Sequence, residues 1–130
     1  MKTAIIYARN IEKRQYEADI GIQLYNCQQC AERHKMEIAA TYSDLSTNKL
    51  QTYPMFEQML QDIEETKPDA IIIYSMAMLG RNLSKTQNWL LSMKKKGIEV
   101  VFVDIDSSPS KTIYEGLLNY FIAQKKEDRQ

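Results

Sequence analysis

Glycine is scarce in this sequence: four residues in 130. A nucleotide cradle wants glycines, so that the backbone can approach phosphates closely, and these loops are too glycine-poor to build one. Cysteine is scarcer still, at two. That excludes a disulfide-stapled secreted scaffold and leads us to expect free thiols in a reducing cytoplasm. Charge of one sign is missing as well. Lys+Arg and Asp+Glu each number 17, for a formal net charge of zero. A strongly basic, freestanding nucleic-acid binder is disfavoured by that balance, although a local basic patch is compatible with it. No long apolar run is present. Runs such as Ala70–Tyr74 and Val100–Val103 fall far short of the ~20 residues that span a bilayer. Met1–Arg9 has one lysine and a short apolar run ending in arginine, too short for a signal peptide and without a cleavage site.

What is present fits a single globular domain, 1–130. The hydrophobic fraction is 44% and the charged fraction 26%, ordinary values for a folded chain of this size. There is no internal repeat, low-complexity segment or linker. Thr3–Ala8 and Glu37–Tyr42 read as strands, and Ala70–Tyr74 and Glu99–Val103 as buried strands. Between them, Arg14–Lys35 carries Ile20, Leu24, Cys27 and Ala31 at helical spacing. A second helix opens at Pro54, where a missing N–H costs nothing, and carries Met55, Phe56, Met59, Leu60 and Ile63. A third is capped by Asn82 or Ser84 and ended by Gly97. A last helix, Lys111–Lys126, begins at Ser110 or Thr112 and places Ile113, Leu117, Tyr120 and Phe121 on one face. Ser43–Thr52 reads as a turn opened by Asp44, Met76–Arg81 as a loop, and Asp104–Ser110 as a polar loop.

This βαβαβαβα order predicts an α/β fold: a three-layer αβα sandwich around a mostly parallel sheet of four to five strands. Ligands in such folds bind beyond the carboxyl ends of the strands. Those ends are Arg9–Ile11, Asp44–Asn48, Ser75–Leu79 and Asp104–Ser107.

The strand-end residues carry a pattern. Tyr7-Ala8-Arg9-Asn10-Ile11-Glu12-Lys13-Arg14-Gln15 ends the first strand, and Met76-Ala77-Met78-Leu79-Gly80-Arg81-Asn82 follows the third. With Gln23, Asp44, Tyr53-Pro54-Met55-Phe56 and Asp69, this spacing resembles the catalytic domain of the serine recombinases (resolvase/invertase family) over about residues 3–125. That family opens with Y-x-R-V-S-T-x-x-Q, whose Ser is the nucleophile. It has an Asp near the second strand end, an Arg-Pro pair opening a helix, and L-D-R-L-x-R-N after the third strand. The resemblance implies a resolvase-like fold and DNA strand exchange through a covalent protein–DNA link. Tyr7, Arg9, Gln15, Asp69 and Arg81 match the pattern.

Other positions depart from it. Ile11 stands where the resemblance places the nucleophilic Ser, and Asn10 precedes it. Ala77-Met78 replaces Asp-Arg, and Tyr53 replaces the Arg of Arg-Pro. Phosphoryl transfer through a covalent link needs a nucleophilic oxygen, which isoleucine lacks. Charge gathering on the phosphate oxygens needs cations, which Tyr53 and Met78 do not supply. Each such loss alone costs orders of magnitude in rate on the scale of single catalytic-group deletions.

The leading expectation is therefore a catalytically inactive homologue acting as an accessory, regulatory or dimerisation protein. It would form a homo-oligomer, or a hetero-oligomer with an intact recombinase, through the last helix, with weak DNA contact at Arg9 and Arg81. One alternative is an active recombinase with a relocated nucleophile among Ser46, Thr47 and Ser75, of which Ser46, two residues after Asp44, is the best placed. Another is an anion or phosphate-ligand binder at the strand ends. Arg9 and Arg81 read equally as partners of Asp44 or another acid. In the family the last helix leads into a DNA-binding region; the expectation here is a domain without one, which would lack the main source of site recognition.

Three further signals read as structural. Cys27-x-x-Cys30-x-x-x-His34 shares one helix face, but a structural zinc site wants a fourth ligand and the sequence offers none, so packing is the reading and no metal or other cofactor is assigned. Lys94-Lys95-Lys96 reads as a solvated helix end favourable to the dipole. Met76 and Met78 would either form an exposed contact loop or fold over the vacated cleft. No membrane association is expected, and the setting expected is cytoplasmic.

Overall fold

A computed structural model describes residues 1–10, 19–45 and 52–127, and the side chains among these as far as residue 124. Its described residues form one four-stranded sheet in the order β2-β1-β3-β4. The strands are β1 (Lys2–Asn10), β2 (Met36–Leu45), β3 (Ala70–Ile73) and β4 (Glu99–Phe102), and every pairing is parallel. Among the described residues the strand count is four, within the four to five expected. The helices are α1 (Ile20–Arg33), α2 (Pro54–Thr66), α3 (Leu83–Lys95), α4 (Val103–Asp106) and α5 (Lys111–Glu127).

The layers follow from side-chain parity. Strand side chains alternate between faces, and β1 and β3 are buried on both. Ala4, Ile6, Ala70 and Ile72 turn towards Cys27, Cys30 and Ala31 of α1. Ile5, Tyr7, Ile71 and Ile73 turn the other way, onto Met59 and Ile63 of α2, Leu90, Leu91 and Met93 of α3, and Ile122 of α5. Ala4, Ala70 and Ala31 are small residues on the α1 side, set among the branched Ile6 and Ile72.

Several boundaries differ from the sequence expectation, each for a local reason. Helix α1 opens at Ile20, where Asp19 has extended backbone and its carboxylate accepts the Ile22 N–H at 2.9 Å. The expected start at Arg14 lies outside the described residues. Strand β2 runs on through Ser43 and Asp44, expected as a turn, because pairing with β1 continues to Asn10–Leu45. The loop expected over Met76–Arg81 holds a single 3-10 turn, Met76–Leu79. The polar loop expected from Asp104 begins instead with the short α4. Pro54 does sit in the first turn of α2, and Asn82 does cap α3, accepting the Lys85 N–H at 3.1 Å.

One irregularity in β2 sets the register of the site. Ala4 pairs with Ile38 but Ile5 pairs with Ala40, so Ala39 is an extra residue, a β-bulge. Beyond it Tyr7 lies opposite Tyr42 and Arg9 opposite Asp44.

Candidate active site at the carboxyl ends of the strands

Arg9 is the centre of the cluster at the strand ends, and it is almost fully buried at 4% exposure. Its backbone is fixed from α1. The Gln23 side chain donates to the Arg9 carbonyl at 2.8 Å and accepts its N–H at 3.1 Å. A buried side-chain amide thus stands in for a neighbouring peptide where the sheet runs out.

The guanidinium is held by aromatic groups. Arg9 Nε donates to the Tyr7 hydroxyl at 2.9 Å. The Tyr53 ring lies flat against the cation, 3.4 Å from its centroid, with Tyr7 and Phe56 at 5.3 and 5.6 Å. A desolvated stack of this kind contributes about 2 kcal/mol. Phe56 continues the aromatic layer, edge-on to Tyr7 at 5.0 Å and tilted against Trp89 at 5.3 Å.

The carboxylate of Asp44 ties the strand ends to α2. Asp44 Oδ2 accepts the Tyr7 hydroxyl at 2.7 Å and the Phe56 N–H at 2.9 Å, and Oδ1 accepts the Met55 N–H at 2.9 Å. Helix α2 begins at Pro54, with Tyr53 as its cap residue making no side-chain cap bond. Asp44 satisfies its first free amides from across the sheet, where a negative group also complements the helix dipole. Burial pushes the Tyr7 hydroxyl above its ordinary value; Arg9 opposes this, and the Asp44 carboxylate adds to it. Tyr7 is therefore a proton donor to Asp44, not a phenolate.

The loop after β3 closes the cluster. A Cβ on Gly80 would lie 4.0 Å from Arg9 Nη1, and Gly80 has φ +94, a conformation L residues rarely adopt. Arg81, the next residue, is exposed, and so is Ala77. Met78 is 1% exposed and belongs to the core on the α2/α3 side. Of the two readings of Met76 and Met78, Met78 is folded inward.

Not every matching residue arrives here. Asp69 lies at the opposite, amino-terminal end of the sheet, where its carboxylate accepts the Thr3 N–H at 2.8 Å. Thr3 and Arg9 are separated by about 20 Å along β1. Ile11 and Gln15 lie outside the described residues, as do Ser46 and Thr47, so the relocated-nucleophile positions there have no described geometry. Ser75 caps the 3-10 turn, its carbonyl accepting the Met78 N–H at 3.1 Å. On α5, Ile113, Leu117 and Tyr120 are exposed as expected. Phe121, one turn on from Leu117, lies at the inner margin of that face: it is half-buried and packs against the core with Leu118. In the Lys94–Lys96 run, Lys96 reaches Glu64 at 2.6 Å, both exposed.

The two thiols are free and fully buried. Burial first, and then the neighbouring Cys30, pushes Cys27 up to about 12. Burial and the Asp106 carboxylate push Cys30 up to about 11. Both remain thiols at neutral pH. Alkylation at pH 8 is therefore expected to run at least ~100-fold slower in the native protein than in urea. Comparable rates in the two conditions would contradict the burial. The raised values favour folding below the unfolded thiol's value, near 9, and that contribution is lost as pH rises towards 12.

Arg9, Tyr7 and Asp44 are thus gathered at the carboxyl ends of a parallel α/β sheet, where ligands bind in such folds. The chain belongs to the resolvase family: the model of the family's N-terminal domain matches residues 4–129. Three solved structures share the fold. The N-terminal catalytic domain of TP901-1 integrase is 22% identical, with TM-score 0.68 over 99% of this chain and 100% of that one. A resolvase-family site-specific recombinase from Streptococcus pneumoniae is 19% identical, with TM-score 0.72 over 98% and 90%. The C-terminal catalytic domain of ISC1926 TnpA, an IS607-like serine recombinase, is 18% identical, with TM-score 0.64 over 88% and 77%. No curated protein matches the chain. No helix among the described residues is long and apolar enough to cross a membrane.

Proposed function

We propose that this chain is a serine-recombinase catalytic domain that associates with a second recombinase-type subunit and does not itself break DNA. One observation carries the reading. Tyr53 stands where the family motif has arginine, and its ring covers the Arg9 guanidinium at 3.4 Å. The other arginine position is Met78, turned into the core, and the nucleophile position is Ile11. Arg9 thus has one face and one edge committed to tyrosines, where phosphate recognition wants an open fork.

Association is supported by α5. Ile113, Leu117 and Tyr120 are 65%, 60% and 66% exposed at helical spacing, an apolar stripe of the kind that marks a protein contact. Another copy of this chain and an intact recombinase are the two candidate partners. DNA contact falls to Arg81, the exposed arginine of the pattern.

The test combines two measurements. Sedimentation of wild type and of Leu117→Asp/Tyr120→Asp is expected to show an oligomer reduced to a monomer. A monomer in both, with no complex formed on adding an intact recombinase, sinks the association reading. Denaturing gels after incubation with supercoiled DNA are expected to show no covalent protein–DNA adduct, and an adduct would establish the relocated-nucleophile alternative. Phe121 is left unchanged because its substitution would strike the core.

A further inference from the structure

We propose that Cys30, His34 and Asp106 form a binding site for a divalent transition metal of the zinc class. Cys30 lies in the last turn of α1 and His34 is its C-cap residue, and Asp106 ends α4, 72 residues beyond His34. Their ligand atoms all lie within 4.8 Å of one another. His34 Nε2 is 2.8 Å from Asp106 Oδ1, and Cys30 Sγ is 3.5 Å from Asp106 Oδ2. In a tetrahedral zinc site the ligand atoms stand about 3.3–3.7 Å apart. The edge from Cys30 to Asp106 lies in that range, the edge from His34 to Asp106 is shorter by about half an ångström, and the three donors converge within 4.8 Å, so small side-chain adjustments bring them to three corners of that tetrahedron.

The donors suit the ion. A thiolate and an imidazole select zinc and its spectroscopic substitute cobalt over magnesium or calcium, which take oxygen ligands. The fourth corner falls to solvent, on the side where the His34 side chain is 35% exposed. Cys27 is not a ligand: its sulfur points to the Ile72 carbonyl. Binding breaks the Cys30 S–H bond, forms the metal–sulfur bond and releases one proton to water.

Two cations compete for the site. Lys111 Nζ is 2.8 Å and Arg33 Nη2 3.2 Å from Asp106 oxygens. Both side chains are well exposed and can swing into water as the ion takes the carboxylate. Asp106 was beyond sequence reasoning, which had a Cys-x-x-Cys-x-x-x-His face and no further ligand.

The experiment is a Co²⁺ titration of the chelator-treated full chain, followed by absorption. One equivalent is expected to give a thiolate-to-cobalt charge-transfer band with tetrahedral visible bands, all displaced by Zn²⁺. Cys27→Ser keeps the band and Cys30→Ser loses it. His34→Ala, a change at a partly exposed position, weakens binding by at least ~10-fold. Lys111→Ala, which removes a competitor, tightens it several-fold. Should Cys30→Ser fail to fold by circular dichroism, the two α1- and α5-surface variants carry the same decision. A folded wild type with no thiolate band at millimolar Co²⁺ overturns the site, as does a band that survives Cys30→Ser or ignores both His34→Ala and Lys111→Ala.

Discussion

Asp44→Ala is expected to lower the unfolding free energy by about 3–5 kcal/mol, the range for removing one partner from a buried, charge-assisted hydrogen-bond network. The residue is 3% exposed and accepts from three donors: the Tyr7 hydroxyl and the Met55 and Phe56 amides. Alanine leaves all three unsatisfied and uncaps α2 in the same step. Asp44→Asn keeps an acceptor of the same shape but brings an NH₂ against donors, so an intermediate loss is expected. Urea denaturation with a common slope measures both. A loss under about 1 kcal/mol for the alanine variant, the size of an ordinary helix cap, would show that the carboxylate does no more than cap.

Met78→Arg is the second large effect. It restores the family's arginine and is expected to destabilise by about 3 kcal/mol or more, because Met78 lies at 1% exposure among apolar side chains where a cation has no solvent. Met78→Leu, nearly volume-conserving, should stay within about 1.5 kcal/mol. Tyr53→Arg should behave differently. Tyr53 is half-buried, so its replacement loses the stack on Arg9 and sets one cation beside another, a cost of about 2 kcal/mol. Thermal melts of the three variants give the order Met78→Arg, Tyr53→Arg, Met78→Leu. Equal melting of Met78→Arg and Met78→Leu would mean that the loop after β3 turns outward freely and that the pocket for a catalytic cation is still intact.

The strands were legible because β1, β3 and β4 are short apolar runs bounded by turn residues, and a buried parallel strand has few other ways to be written. Pro54 and Asn82 were legible because each satisfies a helix start by its own chemistry. Asp44 was visible as a strand-end acid, but not as the cap of α2, since its bonds to Met55 and Phe56 depend on where two loops bring separate elements. Asp106 was invisible for the same reason: nothing in local spacing joins it to Cys30 and His34. The half-burial of Phe121 was not legible, because helical spacing groups it with Leu117 and only the packed core shows how far round the cover extends. Asp69 matched the motif by register alone, and the fold sends it to the far end of β1.

The extra residue in β2 bears on all of this. Met36 and Tyr42 have the same parity in sequence, yet Met36 packs on the α1 face and Tyr42 on the α2 face. Ala39 is a half-period phase shift written into an edge strand. Deleting it would restore strict alternation and carry Tyr42 and Asp44 through the sheet together. Tyr7 would lose its acceptor, and α2 would lose the group that seats its first turn. The polar cluster is thus specified by a count of residues as much as by their kinds, and a substitution scan that preserves length would never reveal it.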